Sequence, residues 1–265
     1  MKIINSCEIF GLPGSGKTFL RDKLKKKIEN KGYIVLNNRE VITKYLKFFC
    51  KTTLIDKIYI KYFSLSIKVK NPKNNFKKNF NKIIKKKKLT NNVISNIVRK
   101  GYYNLCKKCV KQNYRKSKFL DIIEKNFSNH QKKIYLERFY ELLAAVFIFN
   151  KISRHKKKIY FFPDEGLIQK IYILGKLRNK NIKKIIKNYV YNMPVLNDII
   201  YLKANTFQIE KVNSFRKKNL TEKYQKKNFI KNYYLIEKEI LKYEKKIKFK
   251  KLYSKLIFKN YKNDF

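Results

Sequence analysis

The residues best suited to chemistry are eight consecutive ones, 11–18, which spell G-x-x-x-x-G-K-T. In this pattern glycines let the backbone turn tightly and direct successive N–H groups at phosphate oxygens. Lys17 can reach the β- and γ-phosphates, and the Thr18 hydroxyl can bind Mg²⁺. Three of the chain's seven glycines and one of its four prolines lie here. This glycine-rich loop therefore predicts a nucleoside triphosphate site, whose binding residues are Gly11, Pro13, Gly14, Ser15, Gly16, Lys17 and Thr18.

A loop of this kind needs a buried strand before it and a helix after it. The mostly apolar run that ends at Phe10 is typical of a central strand in a parallel sheet. The acidic residue Glu8 is the exception in this run. Apolar residues recur every four positions over residues 20–28, which predicts an amphipathic helix that Gly32 is suited to end. Residues 33–36 then predict a second strand. The unit has the length of a right-handed parallel crossover, and its helix dipole would favour phosphate binding.

Two carboxylates, Asp164 and Glu165, follow a short apolar run at residues 159–162. Ligands bind at the carboxyl ends of strands in open α/β sheets. An acidic strand end also holds Mg²⁺, directly or through water, in proteins with such a loop. The alternative is a capping role for a helix that begins near Leu167, and both roles can hold together. We expect Thr18, Asp164 and Glu165 to form the metal side of the site.

Two more residues are candidates for catalysis beside Lys17 and Asp164. Glu40 follows the predicted second strand, where a carboxylate could accept a proton from a hydroxyl acceptor or orient it. An exposed charge at a helix start is an equally good interpretation of Glu40. Arg216, on a helix predicted over residues 206–218, could cover the transferring phosphoryl group.

Strands alternate with helices along the chain, which predicts a three-layer α/β fold with a parallel sheet flanked by helices. Apolar spacing predicts the remaining elements: helices within 41–62, 93–128, 135–149, 167–177, 181–189 and 221–245, and strands at 197–202 and 248–253. The lysine-rich stretch 68–92 fits a solvated loop or an exposed helix face. We predict a single domain over residues 1–265, with a helical, lysine-rich elaboration at about 41–150.

The composition is strongly basic, with a formal net charge of +49. Such a charge suits a nucleic-acid partner and attracts anionic ligands in general. The excess of Lys, Asn, Ile, Tyr and Phe, the scarcity of Arg and the absence of Trp favour a different origin, namely AT-rich codons. A nucleic-acid partner is therefore the less favoured interpretation, and a small-molecule phosphate acceptor the favoured one.

The cysteines and the apolar segments bear on location. The spacing of Cys106 and Cys109 suits a metal or redox site, but no second pair or nearby His completes one. We interpret these residues, Cys7 and Cys50 as free thiols in a reducing compartment. Since no apolar run reaches the ~18 residues of a membrane span, we expect a cytoplasmic protein with no membrane partner.

The order of these elements resembles that of the nucleoside and nucleotide kinases, especially the thymidylate kinase-like group. The glycine-rich loop resembles the loop of that group. Asp164 and Glu165 stand where the group has an acidic motif after its third strand. Arg39 and Glu40 stand where it often has Arg-Glu, a pair that meets the phosphate acceptor. The resemblance implies a kinase fold, with Arg39 and Glu40 as substrate-binding residues.

The chain also departs from this pattern. Gly166 stands where the kinase motif would have Arg after the acidic pair. Val212 stands where a first arginine of the phosphate-covering lid is common, with Lys211 as a substitute. The resemblance covers about half of the chain and is specific only in the loop.

These features together predict an enzyme that uses ATP and Mg²⁺ to phosphorylate a small acceptor bearing a hydroxyl or a phosphate group. The alternatives are an ATPase that acts on nucleic acid and a protein that binds nucleotide without turnover. No Asn-Lys-x-Asp motif is present, which argues against a GTPase. The sequence predicts neither the acceptor's identity nor an oligomeric state.

Overall fold

The computed structural model describes residues 2–12, 14–60, 91–113, 117–127, 133–156, 158–173, 181–204 and 227–253. Five strands are present in these ranges: β1 (Lys2–Phe10), β2 (Ile34–Leu36), β3 (Ile159–Phe161), β4 (Val195–Lys203) and β5 (Lys250–Tyr253). They form one parallel sheet in the order β2-β3-β1-β4-β5. The predicted α/β fold with a parallel sheet flanked by helices is confirmed at this level.

Helices supply the rest of the regular structure in the described part of the chain. They are α1 (Lys17–Glu29), α2 (Asn38–Tyr45), α3 (Asn91–Asn113), α4 (Lys118–Phe127), α5 (Lys133–Ile152), α6 (Leu167–Ile171), α7 (Ile182–Asn192), α8 (Lys227–Leu241) and α9 (Glu244–Ile247). A 3₁₀ turn covers Leu46–Phe48, and residues 54–60 are also helical. None of the described helices is long and apolar enough to cross a membrane.

Strand β1 occupies the middle of the sheet, as its apolar sequence predicted. It pairs with β3 through Ser6 and Phe161, and with β4 up to the pair Phe10 and Tyr201. The chain leaves β1 for β2, which lies beyond β3, and later crosses from β3 over β1 to β4. Such a reversal of direction marks where ligands bind in open α/β sheets, outside the carboxyl ends of the strands.

The two faces of the sheet pack against different partners. On one face, α1 buries the predicted stripe of Leu20, Leu24 and Ile28 against a cluster that includes Cys7 and Ile9 of β1. On the other face, a larger core joins β1 and β4 to helices from α2 to α8. Since side chains alternate along a strand, Glu8 faces this larger core.

Helix α5 is deeply buried in the larger core. Of the stripe predicted on this helix, Phe139, Leu142, Val146 and Phe149 are fully buried, as are residues 143–145, whereas Tyr135 is only partly buried. Residues of α2, α3 and α5 belong to the same apolar cluster as the sheet. The helical elaboration therefore packs directly on the sheet.

The helix predicted over residues 41–62 is wrong in its extent. It starts earlier, at Asn38, because Asn37 and Glu40 form a reciprocal capping box there. It ends at Tyr45, and the next helical stretch starts at residue 54. Thr53 and Asp56 begin that stretch with the same kind of reciprocal pair, at 2.8 and 3.2 Å between backbone nitrogen and side-chain oxygen.

The helix predicted over 221–245 is likewise divided, because α8 ends at Leu241 and the short α9 follows it. One or two helices were predicted within 93–128, and the described part of that range holds two, α3 and α4. Other predictions lie outside the described residues: Pro13, stretch 68–90, the helix at 206–218 with Lys211, Val212 and Arg216, and the ends of two helices at 174–177 and 221–226.

Candidate functional site

The glycine-rich loop joins the carboxyl end of β1 to the N-terminus of α1, as predicted. Gly11, Gly14 and Gly16 have φ values of +150°, +85° and +91°. L-residues with a Cβ rarely adopt this region, so the loop's backbone course depends on glycine. Gly16 is also the N-cap residue of α1.

Gly11 has a second reason to be glycine. A Cβ atom at this position would lie 2.4 Å from the Leu202 carbonyl oxygen of β4. The first residue of the loop therefore passes directly against the neighbouring strand. This contact fixes where the loop leaves the sheet.

Lys17 lies in the first turn of α1 and points back to the loop. Its Nζ donates to the carbonyl oxygens of Gly11 and Leu12 at 2.9 and 2.7 Å, and lies 3.5 Å from Ser15 Oγ. Thr18, the next residue, is exposed. The ammonium group is thus held at the loop, beside the first turn of α1, where a bound phosphate would gain from the helix dipole.

The acidic pair after β3 lies near the same helix. Asp164 Oδ1 accepts a hydrogen bond of 2.9 Å from Arg21 Nη1, and Arg21 stands one turn after Lys17 on α1. Glu165 Oε2 lies 3.4 Å from Lys170 Nζ on α6. Both acidic residues are exposed. The structure therefore brings Asp164 to the helix that begins at the glycine-rich loop, although 143 residues separate Arg21 from Asp164 in sequence.

Within the described ranges, no three or more His, Cys, Asp or Glu side chains are grouped to hold a metal ion. Mg²⁺ at a phosphate-transfer site takes only one or two carboxylates, together with water and phosphate oxygens. The exposed carboxylates of Asp164 and Glu165 and the Thr18 hydroxyl are oxygen donors of this kind. The residues present thus fit a magnesium ion held mainly by a nucleotide's own phosphates.

Arg39 and Glu40 lie at the start of α2 and have local roles. Glu40 Oε2 accepts from the Asn37 backbone N–H at 2.9 Å. Arg39 Nε lies 3.4 Å from Glu141 Oε1 on α5, and burial raises the pKa of Glu141 while Arg39 opposes that rise. The predicted roles of Arg39 and Glu40 in substrate binding, and of Glu40 in catalysis, stay predictions. Arg216, the last predicted catalytic residue, lies outside the described residues.

Glu8, the acidic residue within the apolar strand β1, is buried and hydrogen-bonded. The sequence did not predict a role for it. Its side chain is almost fully buried, and Oε1 accepts from the Gln169 backbone N–H at 2.8 Å. Burial raises the pKa of Glu8 to about 7, although the N–H groups of residues 167–169 and the charge of Lys170 act against the rise. The only signal in the sequence was an acidic residue inside an apolar strand.

A second carboxylate that the sequence did not indicate is Glu237 of α8. It is buried and accepts a hydrogen bond of 3.3 Å from the Tyr172 hydroxyl. Burial raises the pKa of Glu237, and the charges of Lys17 and Lys203 lower it. Glu237 is therefore within electrostatic range of the loop lysine. No motif in the sequence marks it.

Replacing Glu8 with Gln is expected to flatten the pH dependence of folding stability. The pKa of Glu8 rises from 4.5 to about 7 on folding, so the folded protein retains a proton that the unfolded chain has released. This stabilisation is complete below pH 4.5 and is lost as the pH rises through 7. The loss of unfolding free energy between pH 5 and pH 8 should be about 2–3 kcal/mol smaller in Glu8→Gln than in the wild type. Urea unfolding at both pH values measures it; equal losses in the two proteins would contradict the assignment.

Comparison with known proteins finds no relative of this chain. No family model matches the chain, and no significant similarity is found to curated proteins or to solved structures.

Proposed function

We propose that this protein transfers the γ-phosphoryl group of ATP to a small acceptor that carries a hydroxyl or a phosphate group. The observation that carries the proposal is the glycine-rich loop at the end of the central strand, with Lys17 at the loop and Asp164 bound to the same helix through Arg21. Phosphoryl transfer depends on positioning and charge neutralisation, and this arrangement supplies both.

The donor triphosphate would bind at the loop. Backbone N–H groups of residues 14–18 and the Lys17 ammonium would hold its phosphate oxygens, and the 13-residue α1 would direct its positive dipole end at them. When bound, Mg²⁺ would neutralise the negative charge that develops on the phosphate oxygens during transfer. Thr18, Asp164 and Glu165 would hold it directly or through water.

The acceptor would bind beside the carboxyl ends of β2 and β3. Arg39 is partly exposed there and would attract a phosphate or another anionic group. Glu40 Oε2 already accepts the Asn37 backbone N–H within the capping box of α2, which fixes the carboxylate in place. Glu40 therefore suits orientation of the acceptor better than proton removal.

An ATPase that acts on nucleic acid is the second candidate, and the observation that favours it is the net charge of +49. Neutralising nucleic-acid phosphates with Lys and Arg makes binding strong at low salt, whatever the sequence of the nucleic acid. A protein that binds nucleotide without turnover is the third candidate. Gly166, which stands where the kinase motif has Arg, favours it.

ATP turnover with added partners separates these functions. The rate of ADP release is measured with ATP and Mg²⁺ alone, with a panel of nucleosides, nucleoside monophosphates and sugars, and with single-stranded DNA or RNA. The proposal predicts that one small acceptor stimulates ADP release and that nucleic acid does not. Stimulation by nucleic acid alone would overturn the proposal in favour of the ATPase. ATP binding without ADP release under any condition would favour the third candidate.

A further inference from the structure

We propose that Glu8 and Gln169 are positioning residues that hold the glycine-rich loop and the acidic pair Asp164 and Glu165 in a fixed arrangement. The inference rests on the proposed function, because it concerns how the two halves of that site are kept together. Neither residue is predicted to touch the nucleotide.

The first connection runs from β1 to α6. Glu8 Oε1 accepts from Gln169 N–H at 2.8 Å, and the backbone N–H groups of Leu167 and Ile168 also act to lower the pKa of this carboxylate. The N-cap of α6 is Gly166, which has no side chain to cap the helix. Glu8 therefore does from the neighbouring strand what an N-cap side chain usually does.

The close approach of Glu8 explains the glycine at position 166. A Cβ there would lie 2.0 Å from Glu8 Cδ and 2.3 Å from Glu8 Oε2. Any larger residue, including the arginine of the kinase motif, would displace the carboxylate. The position of the Glu8 carboxylate therefore requires glycine at position 166, although the two residues stand far apart in the sequence.

The second connection runs from α6 to the loop. Gln169 Oε1 accepts from the Gly11 backbone N–H at 3.1 Å. Gln169 therefore connects β1 to the loop, since its N–H donates to Glu8 and its side chain accepts from Gly11, the first residue of the loop. The position of α6 and the position of the loop are therefore set together.

This pair of contacts matters for Asp164 and Glu165 because both directly precede Gly166 and α6. Misplacing a reacting or metal-bound group by about 1 Å can cost roughly 100-fold in rate. Residues that orient metal ligands without touching the metal have comparable effects on metal affinity. Glu8 and Gln169 would act on the proposed site in this indirect way.

The groups that face Glu8 favour a fixed position. Lys170 of α6 is buried nearby, and its charge acts on Glu8. The Tyr189 hydroxyl of α7 donates to the Leu167 carbonyl oxygen at 2.8 Å, which also holds the first turn of α6. Cys7 is the adjacent residue on β1 and faces α1.

Three variants test the proposal. Glu8→Gln keeps the shape of the side chain but places an amide donor among backbone donors. Gln169→Met keeps the length of the side chain and removes the acceptor for Gly11 N–H. Gln112→Met is the matched control, because the Gln112 side chain bonds to Cys50 on the helical side of the core.

The first measurement is ATP affinity in EDTA and the apparent Mg²⁺ affinity in the presence of ATP. Glu8→Gln and Gln169→Met are expected to weaken Mg²⁺ affinity by about 10- to 100-fold and to change metal-free ATP affinity much less. Gln112→Met should change neither. Wild-type Mg²⁺ affinity in both test variants, or equal losses with and without the metal, would overturn the proposal.

The second measurement is independent of nucleotide. Amide hydrogen exchange at Gly11 should be faster in Gln169→Met than in the wild type and in Gln112→Met. Unchanged exchange would mean that Gln169 does not hold the loop, even if Glu8→Gln fails to fold. If the wild type does not bind ATP, the proposed function fails, and exchange at Gly11 alone decides whether the loop is held in this way.

Discussion

Replacing Lys17 with Ala is expected to abolish phosphoryl transfer and to weaken ATP binding by about 10- to 100-fold. A hydrogen bond between charged groups contributes about 1.5–3 kcal/mol, and the ammonium of Lys17 is the charge held at the loop. The variant also loses the two bonds from Nζ to the carbonyl oxygens of Gly11 and Leu12, which help to shape the loop. Calorimetric titration with ATP measures the affinity, and ADP release measures the turnover.

The matched control for this variant is Lys23→Ala. Lys23 lies on the same helix, is exposed, and carries the same charge. If the overall positive field of the chain were responsible for ATP binding, both variants would lose the same small amount of affinity. An ATP affinity and turnover in Lys17→Ala equal to those of the wild type would mean that the glycine-rich loop is not the site.

Gly11→Ala is expected to lower the free energy of unfolding by about 2–6 kcal/mol. The new Cβ would meet the Leu202 carbonyl oxygen at 2.4 Å, and the φ value of +150° is unfavourable for alanine. Because the obstacle is backbone in the neighbouring strand, relief requires β1 and β4 to separate. Urea unfolding measures the loss.

Gly32→Ala is the control for backbone strain alone. Gly32 has a φ value of +78°, and a Cβ added there would meet no heavy atom within 4 Å, by contrast with Gly11. Its replacement should therefore cost only about 1–2 kcal/mol. Equal losses in the two variants would show that the contact with β4 does not constrain the loop.

The elements that the sequence predicted best are those whose stability comes from one regular apolar stripe. Helices α1 and α5 are of this kind, and the apolar run of β1 indicated its central position in the sheet. The break between α2 and the helical stretch at 54–60 was missed because local capping decides it. The pairs Asn37 and Glu40, and Thr53 and Asp56, outweigh a continuous apolar spacing.

The candidate site likewise has one part that the sequence predicted and one part that it did not. The glycine-rich loop was predictable because eight adjacent residues carry its geometry. The bond between Asp164 and Arg21 depends on how β3 lies beside β1, and spacing along the chain does not encode that contact. The role of Glu8 was hidden for the same reason, since its partners on α6 lie about 160 positions away.

The most direct test of the central claim is to follow the γ-phosphorus of ATP by ³¹P nuclear magnetic resonance during turnover with the stimulating acceptor. A phosphorylated small molecule is expected to appear in step with ADP, and Lys17→Ala is expected to form none. Release of the γ-phosphoryl group only as inorganic phosphate, whatever acceptor is present, would contradict the central claim.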